Sequence, residues 1–399
     1  MLGGVAARNP IIRFPMHDPV AILQQLVPID SRNSLPLDQP GERATDELGM
    51  CAWLVAYLEG LGLATRITYA APRRPNLVAF PSHFESAWPT LAFQAHMDTV
   101  GTDGMTHDPF DPRIVDGKLY GRGACDTKGG MAAMLAALAD LLAEGVQANL
   151  MFVATCSEET GCQSAPFLDL SPWRIDGMIV GEPTSNRAIV AHKTNVCVEL
   201  ICTGKAAHGS RPEAGVNAIY RMAELIGFLR QTIIPELAAQ SAPGFAGSTL
   251  SVGTIQGGTK SNIVPDRCAV VADLRLVPGG PPAATVVQEL ARRATAALGF
   301  TVEVGWCHIS PGLATSADSA VVQAVQRALG GCGGETATST VAYCTDGGVF
   351  ATKGIDCVIL GPGDILQAHG AVEYVEVAEL RLAVEIYRQV ARELASGSR

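Results

Sequence analysis

Residues 119–130 read LYGRGACDTKGG and lead directly into an apolar segment at 131–142. The stretch holds four glycines and one aspartate, Asp126, and the Ala, Leu and Met residues that follow have high helix propensity. Glycine lets a backbone turn tightly or approach another group closely, so this turn places Asp126 at a defined position. A glycine-rich turn before a helix can also bind phosphate, but the Gly-Lys-Ser/Thr order of a P-loop is absent here. We therefore interpret the stretch as presenting a carboxylate, with a nucleotide site as the weaker alternative.

The length and composition of the chain indicate a soluble globular protein with two domains. Its 399 residues exceed what one ordinary core accommodates. A content of 48% hydrophobic and 17% charged residues is typical of a folded protein. The formal net charge of −10 argues against binding to nucleic acid or to an acidic membrane surface. No apolar run approaches the length of a membrane span, and residues 1–16 lack the apolar core of a signal peptide.

The eleven cysteines are scattered along the chain. They form no C-x-x-C pair, so the sequence predicts neither a zinc ribbon nor a disulfide framework. Most of them are expected to be small buried side chains in a reducing compartment. We therefore expect a cytosolic protein with no nucleic-acid or membrane partner.

Alternating strand and helix patterns predict a mostly parallel sheet in the first half of the chain. Helices are predicted at 20–27 and 46–61, on either side of a loop at 33–41, and at 131–142; strands are predicted at 63–69, 75–80, 89–95, 148–155 and 176–180. Polar residues directly follow the last three of these strands. In parallel sheets the ligand site lies beyond the carboxyl ends of the strands.

From Thr194 onward the pattern changes to strand, helix, strand, strand, helix, strand. These elements are predicted at 196–203, 217–229, 249–256, 268–276, 284–298 and 300–304. This order is typical of a ferredoxin-like unit. A helix at 317–329, a strand at 356–360 and a helix at 377–394 then resume the first pattern. We therefore predict a three-layer α/β/α domain built from residues 1–193 and 307–399, with an inserted ferredoxin-like α+β domain at 194–306.

Acidic and imidazole side chains stand where the predicted strands end. They are His96, Asp98, Asp126, Glu158, Glu159 and Glu182, and His369 follows a later Gly-Pro-Gly turn. Singly, each has an ordinary explanation, such as a hydrogen-bonded bystander histidine or a solvated surface turn of adjacent glutamates. Together, carboxylates at the ends of buried strands repel one another unless a cation neutralises them. Two imidazoles among carboxylates suit zinc, or cobalt or manganese, and two ions sharing one aspartate would use the whole set.

The spacing of His96 and Asp98 suggests a direct contact between them. Residues i and i+2 of a strand face the same side. We expect the Asp98 carboxylate to accept the second ring N–H of His96 and so to orient the imidazole.

At these residues the sequence resembles the M20 family of metallopeptidases and deacylases. The matching segments are 95–100 (AHMDTV), 121–130 (GRGACDTKGG), 157–161 (SEETG), 181–184 (GEPT) and 368–369 (AH). They occur in the family's order and extend over most of the chain. The family includes acetylornithine deacetylase, succinyl-diaminopimelate desuccinylase and glutamate-releasing carboxypeptidases, and the inserted unit corresponds to its lid.

The resemblance implies two metal sites that share a ligand. His96 and Glu182 would bind one ion, and Glu159 and His369 the other. Asp126 would bridge the two ions, and the peptide bond that follows it would be cis.

The resemblance also implies a general base. Glu158 would take a proton from the attacking water and later deliver it to the leaving amine. Asp98 would keep the imidazole of His96 oriented.

Three residues of the inserted unit match the family's lid. His208, within GKAAHGS at 204–210, would stabilise the tetrahedral oxyanion, often from the partner subunit of a dimer. Asn262, within GGTKSN at 257–262, would reach the substrate. Arg275 would bind the substrate carboxylate through its bidentate guanidinium. The alternatives are a surface histidine at 208 and a simple ion pair between Arg275 and Asp273.

The expected function is cleavage of the amide bond of an N-acyl amino acid, as in N-acetylornithine deacetylation. The expected cofactors are two divalent ions, zinc before cobalt or manganese, and the expected assembly is a homodimer through the lid. Residues 343–348 (YCTDGG) lie between the deacetylase and desuccinylase patterns, so N-succinyl-diaminopimelate desuccinylase and carboxypeptidase or dipeptidase activities stay open. A non-catalytic metal-binding relative is the distant alternative, and the presence of Glu158 argues against it.

Overall fold

The computed structural model describes residues 17–33 and 47–397, so the predictions for residues 1–16 and for most of the loop at 33–41 lie outside the described residues. The strands are β1 (Leu63–Ala71), β2 (Arg74–Pro81), β3 (Thr90–His96), β4 (Ile114–Val115), β5 (Lys118–Tyr120), β6 (Asn149–Thr155), β7 (Gly177–Val180), β8 (Ile189–His192), β9 (Thr194–Thr203), β10 (Ala207–His208), β11 (Thr249–Gly257), β12 (Ile263–Val264), β13 (Arg267–Leu276), β14 (Val302–Ser310), β15 (Leu313–Ala314), β16 (Ser339–Val341), β17 (Cys357–Ile359) and β18 (Tyr374–Glu376). The α-helices are α1 (Pro19–Leu26), α2 (Leu48–Gly60), α3 (Lys128–Glu144), α4 (Ala218–Phe228), α5 (Ile234–Ala238), α6 (Ala283–Leu298), α7 (Ala320–Gly331), α8 (Asp346–Thr352) and α9 (Val377–Gly397). Within the described ranges, none of these helices combines the length and the apolarity that a membrane crossing requires.

The larger sheet has parallel strands at its centre and antiparallel strands towards its edges. Its order is β1-β2-β6-β3-β7-β17-β8-β15, with β16 beside β8. The neighbours β6, β3, β7 and β17 pair in parallel. Strands β3 (TLAFQAH) and β6 (NLMFVAT) are buried along their whole length, as expected for parallel strands between two helical layers. The predicted α/β class with a mostly parallel central sheet is confirmed.

Helices cover both faces of this sheet. On one face α1, α3, α7 and α9 share a core with the strands, and the ring of Phe93 in β3 lies 5.7 Å from that of Tyr387 in α9. The neighbouring Ala92 belongs to the core on the other face, together with Val349 and Phe350 of α8. Successive residues of a strand point to opposite faces, so β3 supplies both cores.

The glycine-rich turn packs the start of α3 against the end of β7. A Cβ atom on Gly130 would lie 2.1 Å from the carbonyl oxygen of Gly181, and one on Gly129 would lie 2.4 Å from that of Ala124. The Thr127 hydroxyl donates a hydrogen bond to the same Gly181 carbonyl. Glycine is required here because the backbones approach more closely than a side chain allows.

Residues 194–310, called the smaller unit below, form a second sheet with its own core. Its order, β11-β13-β9-β14, is antiparallel throughout and is that of a ferredoxin-like unit. Helices α4 and α6 contribute Met222 and Leu290 to this core. Strand β14 continues to Ser310, so the predicted boundary between 306 and 307 falls inside it. A register shift between Val304 and Cys307 interrupts the alternation that would have marked the rest of the strand.

Candidate metal centre

Three neighbouring strands bring the acidic and imidazole residues to one edge of the larger sheet. His96 is the last residue of β3, Glu158 and Glu159 follow β6, and Glu182 follows β7. Because β6, β3 and β7 are adjacent and parallel, their carboxyl ends meet at the same edge. Asp126 reaches this edge from the turn before α3.

The carboxylate of Asp126 lies between two imidazoles. Its Oδ1 is 3.0 Å from Nε2 of His96, and its Oδ2 is 3.3 Å from Nε2 of His369. On the His96 side, Oε2 of Glu182 is 3.8 Å from the same ring nitrogen. On the His369 side, Oε2 of Glu159 is 2.9 Å from the ring. Each half of this cluster therefore contains one imidazole and one glutamate, and Asp126 belongs to both halves.

Asp98 supports the cluster through different atoms from those predicted. The ring Nδ1 of His96 is 2.8 Å from the backbone carbonyl oxygen of Asp98 and 3.6 Å from its carboxylate. The carboxylate instead accepts the backbone N–H groups of Glu158 and Glu159, each at 3.1 Å. The expected hydrogen bond to the carboxylate is therefore corrected to one with the carbonyl. The i, i+2 rule does not hold here because β3 ends at His96.

A buried ion pair that the sequence analysis did not identify holds the Asp126 turn. Oε1 of Glu373 accepts the backbone N–H groups of Asp126 and of the preceding residue, both at 3.0 Å. Its Oε2 accepts a hydrogen bond from Nη1 of Arg122 at 2.6 Å, and both side chains are buried. The peptide bond that follows Asp126 is cis, as the resemblance implied. Both residues lie near proposed ligands, Arg122 four residues before Asp126 and Glu373 four residues after His369, but no local pattern pairs them.

Burial and crowding shift the protonation equilibria of the cluster. Burial, together with the charge of Glu182, raises the pKa of Glu158 well above its usual range. Burial and the charge of Asp126 raise the pKa of Glu159 to about 7. Hydrogen bonds to Asp126 and Glu159 raise the pKa of His369 to about 10. The ionised form of these carboxyl groups is therefore disfavoured unless a positive partner lies at this edge of the sheet.

The donor set fits divalent cations. Since the Asp98 carbonyl can only accept, Nδ1 of His96 carries a hydrogen, and a proton or a cation must lie between Nε2 and the carboxylates that face it. Among the residues that the structure describes, Oε1 of Glu159 and Oε1 of Glu182 are buried without a hydrogen-bond partner. Ligand atoms of His96, Asp126 and Glu159 lie within 4.8 Å of one another. Imidazole nitrogens and carboxylate oxygens in this arrangement suit zinc or a similar ion.

His208 and Asn262 make their contacts within the smaller unit. The His208 ring is 2.8 Å from the hydroxyl of Ser210, and the backbone carbonyl oxygen of Asn262 accepts the backbone N–H of Gly209 at 2.7 Å. No hydrogen bond or ion pair between described residues connects His208 or Asn262 to the Asp126 cluster.

Arg275 forms an ion pair with Asp273, which was the alternative to its predicted role in binding the substrate. Its Nε and Nη2 donate to the two carboxylate oxygens of Asp273, each at 2.9 Å. The guanidinium is close enough to Cys344, in the loop before α8, for their charges to interact. Cys344 packs against the core that contains Cys162, whose Sγ lies 3.3 Å from Oε1 of Glu158.

Strand β14 of the smaller unit supports the turn that carries Glu158 and Glu159. The ring Nε2 of His308 is 2.7 Å from the carbonyl oxygen of Gly161, and the Ser310 hydroxyl donates to the same oxygen at 2.9 Å. Neither residue was predicted from the sequence, because no motif relates this strand to residue 161. The contact couples the smaller unit to the position of the two glutamates.

Comparison with known proteins identifies the family of this chain. Residues 92–393 match the family described as Peptidase family M20/M25/M40. This chain belongs to that family. The matched range contains every residue of the Asp126 cluster, and the M20 resemblance predicted from the sequence is confirmed.

Relatives with curated descriptions resemble this M20 protein along most of its length. An acetylornithine deacetylase from Myxococcus xanthus is 33% identical over 372 residues, which cover 90% of this chain and 93% of the relative. A probable succinyl-diaminopimelate desuccinylase from Staphylococcus epidermidis is 27% identical over 410 residues, covering 94% and 97% of the two chains. The crystal structure of a tripeptidase from Staphylococcus aureus has a TM-score of 0.77 at 25% identity, covering 96% and 99%. This M20 protein is a hydrolase of amide or peptide bonds.

We expect Arg122→Met to destabilise the protein by about 3–5 kcal/mol, because it leaves the Glu373 carboxylate buried without its partner. Arg174→Met is the matched control, since Arg174 pairs with Asp176 at the same 2.6 Å but its side chain is 87% exposed. Breaking that exposed pair should cost less than about 1 kcal/mol. Urea denaturation in one buffer measures both changes. A loss for Arg122→Met no larger than that for the control would contradict the role of this ion pair.

Proposed function

We propose that this M20 protein is a metal-dependent amidohydrolase of N-acyl amino acids, of the acetylornithine deacetylase kind. The observation that carries the proposal is the carboxylate of Asp126, whose two oxygens face two different imidazoles. A carboxylate shared by two imidazole–glutamate halves is suited to holding a pair of divalent ions. The Myxococcus xanthus relative supports N-acetylornithine as the substrate.

Five side chains would hold the two ions. His96 and Glu182 form one half of the site, Glu159 and His369 form the other, and Asp126 belongs to both. We propose zinc as the metal, with cobalt and manganese as alternatives that the same donors accept. When bound, two such ions supply Lewis-acid activation of water and of the scissile carbonyl.

Glu158 is the proposed general base. The Asp98 carboxylate holds the backbone N–H groups of Glu158 and Glu159 together, so the two side chains leave the turn from fixed neighbouring positions. A general base must lie within hydrogen-bond reach of the proton that it takes. Because Glu158 directly precedes the proposed ligand Glu159, its side chain would satisfy this condition for a water molecule at the cluster. Glu158 would hold that proton on its carboxylate and pass it to the leaving amine.

We propose a homodimer in which the smaller unit supplies His208 and Asn262 to the site of the partner subunit. It is supported by the absence, among the described residues, of hydrogen bonds or ion pairs that connect these two residues to the cluster of their own chain. Strand β11 is an edge strand of the antiparallel sheet, and Ile255 on this strand is 54% exposed. Tyr220 of α4 is 70% exposed. An edge strand with exposed apolar neighbours is suited to pairing with a second copy of the chain.

Arg275 is the proposed binding group for the substrate carboxylate. Its ion pair with Asp273 uses Nε and Nη2 and so fixes the plane of the guanidinium. Nη1 is the donor group that this pair does not use. The side chain is 31% exposed, and its charge interacts with Cys344 in the loop before α8. A planar guanidinium in this position is suited to a carboxylate.

Two other substrate classes fit the same reaction. The Staphylococcus epidermidis relative supports N-succinyl-diaminopimelate, and the tripeptidase structure supports short peptides. A non-catalytic metal-binding role is disfavoured, because such a protein has no use for Glu158 beside a complete ligand set. We also propose a cytosolic location, which the eleven free cysteines support.

The substrate assignment predicts the highest kcat/KM for N-acetylornithine in a panel that also contains N-succinyl-diaminopimelate and a tripeptide. The assays use added Zn²⁺ or Co²⁺. A higher value for either of the other two compounds would replace the deacetylase assignment and keep amide hydrolysis. Hydrolysis of none of the three would refute the proposed substrate class.

With the preferred substrate, Glu158→Gln should lower kcat by about 10²–10⁴-fold, because it removes the proton acceptor. It should retain metal, because all five proposed ligands are unchanged. Glu159→Gln is the adjacent control and should lose metal affinity. Elemental analysis after dialysis, combined with kcat, separates the two effects. Turnover of Glu158→Gln close to that of the wild type would rule out its role as the base.

A mixed dimer tests whether His208 acts across the subunit interface. Glu158→Gln and His208→Ala homodimers should each have low kcat. If His208 serves the partner, a dimer with one subunit of each kind contains one intact site and should recover about half of the wild-type activity. Differently tagged subunits, co-purified and assayed, measure this recovery. A mixed dimer as slow as its parents would place His208 in its own chain's site or outside the mechanism.

A further inference from the structure

Two rows of residues cross the smaller sheet from β13 through β9 to β14. In the first row, Arg275 is opposite Asn195, and Asn195 is opposite Ser310. The second row contains, on the same three strands, Asp273, Cys197 and His308. Residues that are opposite one another in a sheet lie on the same face. The Arg275–Asp273 ion pair therefore lies on the same face of the sheet as His308 and Ser310.

This face is the one that points away from the helices of the smaller unit. The next residues along the strands, Val196 and Leu274, belong to the core that the sheet shares with α4 and α6. Successive residues of a strand point to opposite faces, so the two rows lie on the other side of the sheet. There His308 and Ser310 meet the turn after β6.

At the β14 end of the rows, two side chains hold one carbonyl group. The carbonyl oxygen of Gly161 accepts hydrogen bonds from Nε2 of His308 at 2.7 Å and from the Ser310 hydroxyl at 2.9 Å. We call these two hydrogen bonds the Gly161 clamp. The approach is close, since a Cβ atom on Gly161 would lie 2.7 Å from Nε2 of His308. The backbone N–H of Gly161 donates to the carbonyl of Glu158 at 2.8 Å, so the clamp holds the turn that carries the proposed base.

At the β13 end of the rows, the guanidinium of Arg275 is held in one plane. Its Nε and Nη2 donate to the carboxylate of Asp273, each at 2.9 Å. Neighbouring strands lie about 4.8 Å apart, so two strand spacings separate Arg275 from Ser310 by roughly 10 Å. The sheet between them therefore acts as a spacer between the proposed carboxylate-binding group and the clamp.

We propose that His308 and Ser310 are positioning residues that make the enzyme selective for the distance between the carboxylate and the scissile amide of its substrate. With the carboxylate bound at Arg275, the spacer and the clamp set where Glu158 meets the amide. In an N-acyl α-amino acid, one carbon atom joins the carboxylate to the amide nitrogen. An additional methylene there displaces the amide, and a displacement of about 1 Å costs on the order of 10²-fold in rate. This selectivity rests on the proposed function of Glu158 and Arg275, whereas the clamp does not.

Hydrogen exchange tests the clamp without any substrate. Amide exchange of the zinc-loaded protein is followed by mass spectrometry of peptides that cover residues 157–163. In the double variant His308→Ala/Ser310→Ala this turn should exchange about tenfold faster than in the wild type, because the Gly161 carbonyl loses both donors. Peptides from β3 should exchange as in the wild type, which separates local loosening from loss of the fold. Unchanged exchange of the turn overturns the clamp.

A pair of homologous substrates tests the selectivity. The pair is the better N-acyl amino acid of the panel and its homologue with one methylene inserted between the carboxylate and the carbon that bears the amide nitrogen. The wild type should favour the shorter compound by about 10²-fold in kcat/KM. The double variant should lower this ratio to about tenfold or less, because loosening the turn harms the aligned substrate most. It should retain its zinc, because the five proposed ligands are unchanged.

Single variants supply the controls, and they decide the selectivity if the double variant does not fold. Glutamine carries an N–H group that can replace Nε2–H of histidine, so His308→Gln should keep the wild-type ratio. His308→Ala should lower the ratio. His83→Ala is the matched control, since it removes an imidazole whose side chain is 85% exposed, and it should leave the ratio unchanged.

The outcomes separate this inference from the proposed function. A wild type that does not distinguish the two homologues would overturn the selectivity, and so would a folded, zinc-loaded double variant with the wild-type ratio. Equal ratios for His308→Ala and His308→Gln would overturn it as well. If the wild type hydrolyses no compound of the panel, the proposed function fails and the selectivity fails with it, and hydrogen exchange still decides whether the clamp holds the turn.

Discussion

The site depends on one carboxylate that is shared by two imidazoles. Asp126 can face both His96 and His369 only because the start of α3 comes against the end of β7. The glycine at position 130 permits that approach, and Glu373 holds the backbone N–H groups at the turn. A buried carboxylate is costly unless charge or hydrogen bonds compensate it. The rest of the cluster supplies that compensation, as a bound pair of cations would.

The site also depends on the turn after β6, which is fixed by hydrogen bonds from two other parts of the chain. The Asp98 carboxylate holds the backbone of Glu158 and Glu159, and strand β14 holds the carbonyl of Gly161 through His308 and Ser310. The position of the smaller unit is thereby coupled to the proposed base. A shift of either part of the chain relative to the other would move the carboxylate on which proton transfer depends.

Much of the fold could be predicted because its signals are local. The continuous apolar runs of β3 and β6 indicated buried parallel strands, and the strand–helix order of the smaller unit indicated its sheet. The cluster could be predicted because its residues stand at strand ends. The hydrogen-bond acceptor for Nδ1 of His96, the Asp98 carbonyl, could not be predicted, since it depends on β3 ending at His96. The C-terminal end of β14 could not be predicted either, since its register shift interrupts the alternation of side chains between the two faces.

The sequence by itself determined the order of the elements and the chemical identity of the candidate ligands, because periodicity and residue type are local properties of the chain. Only the tertiary structure decided which oxygen of Asp126 faces which imidazole. It also decided that Arg122 meets Glu373, 251 residues away, and that Ser310 meets Gly161, 149 residues away. Such contacts depend on how strands cross over and on which backbones approach closely. No local pattern records these relations, because they are set by the packing of distant segments.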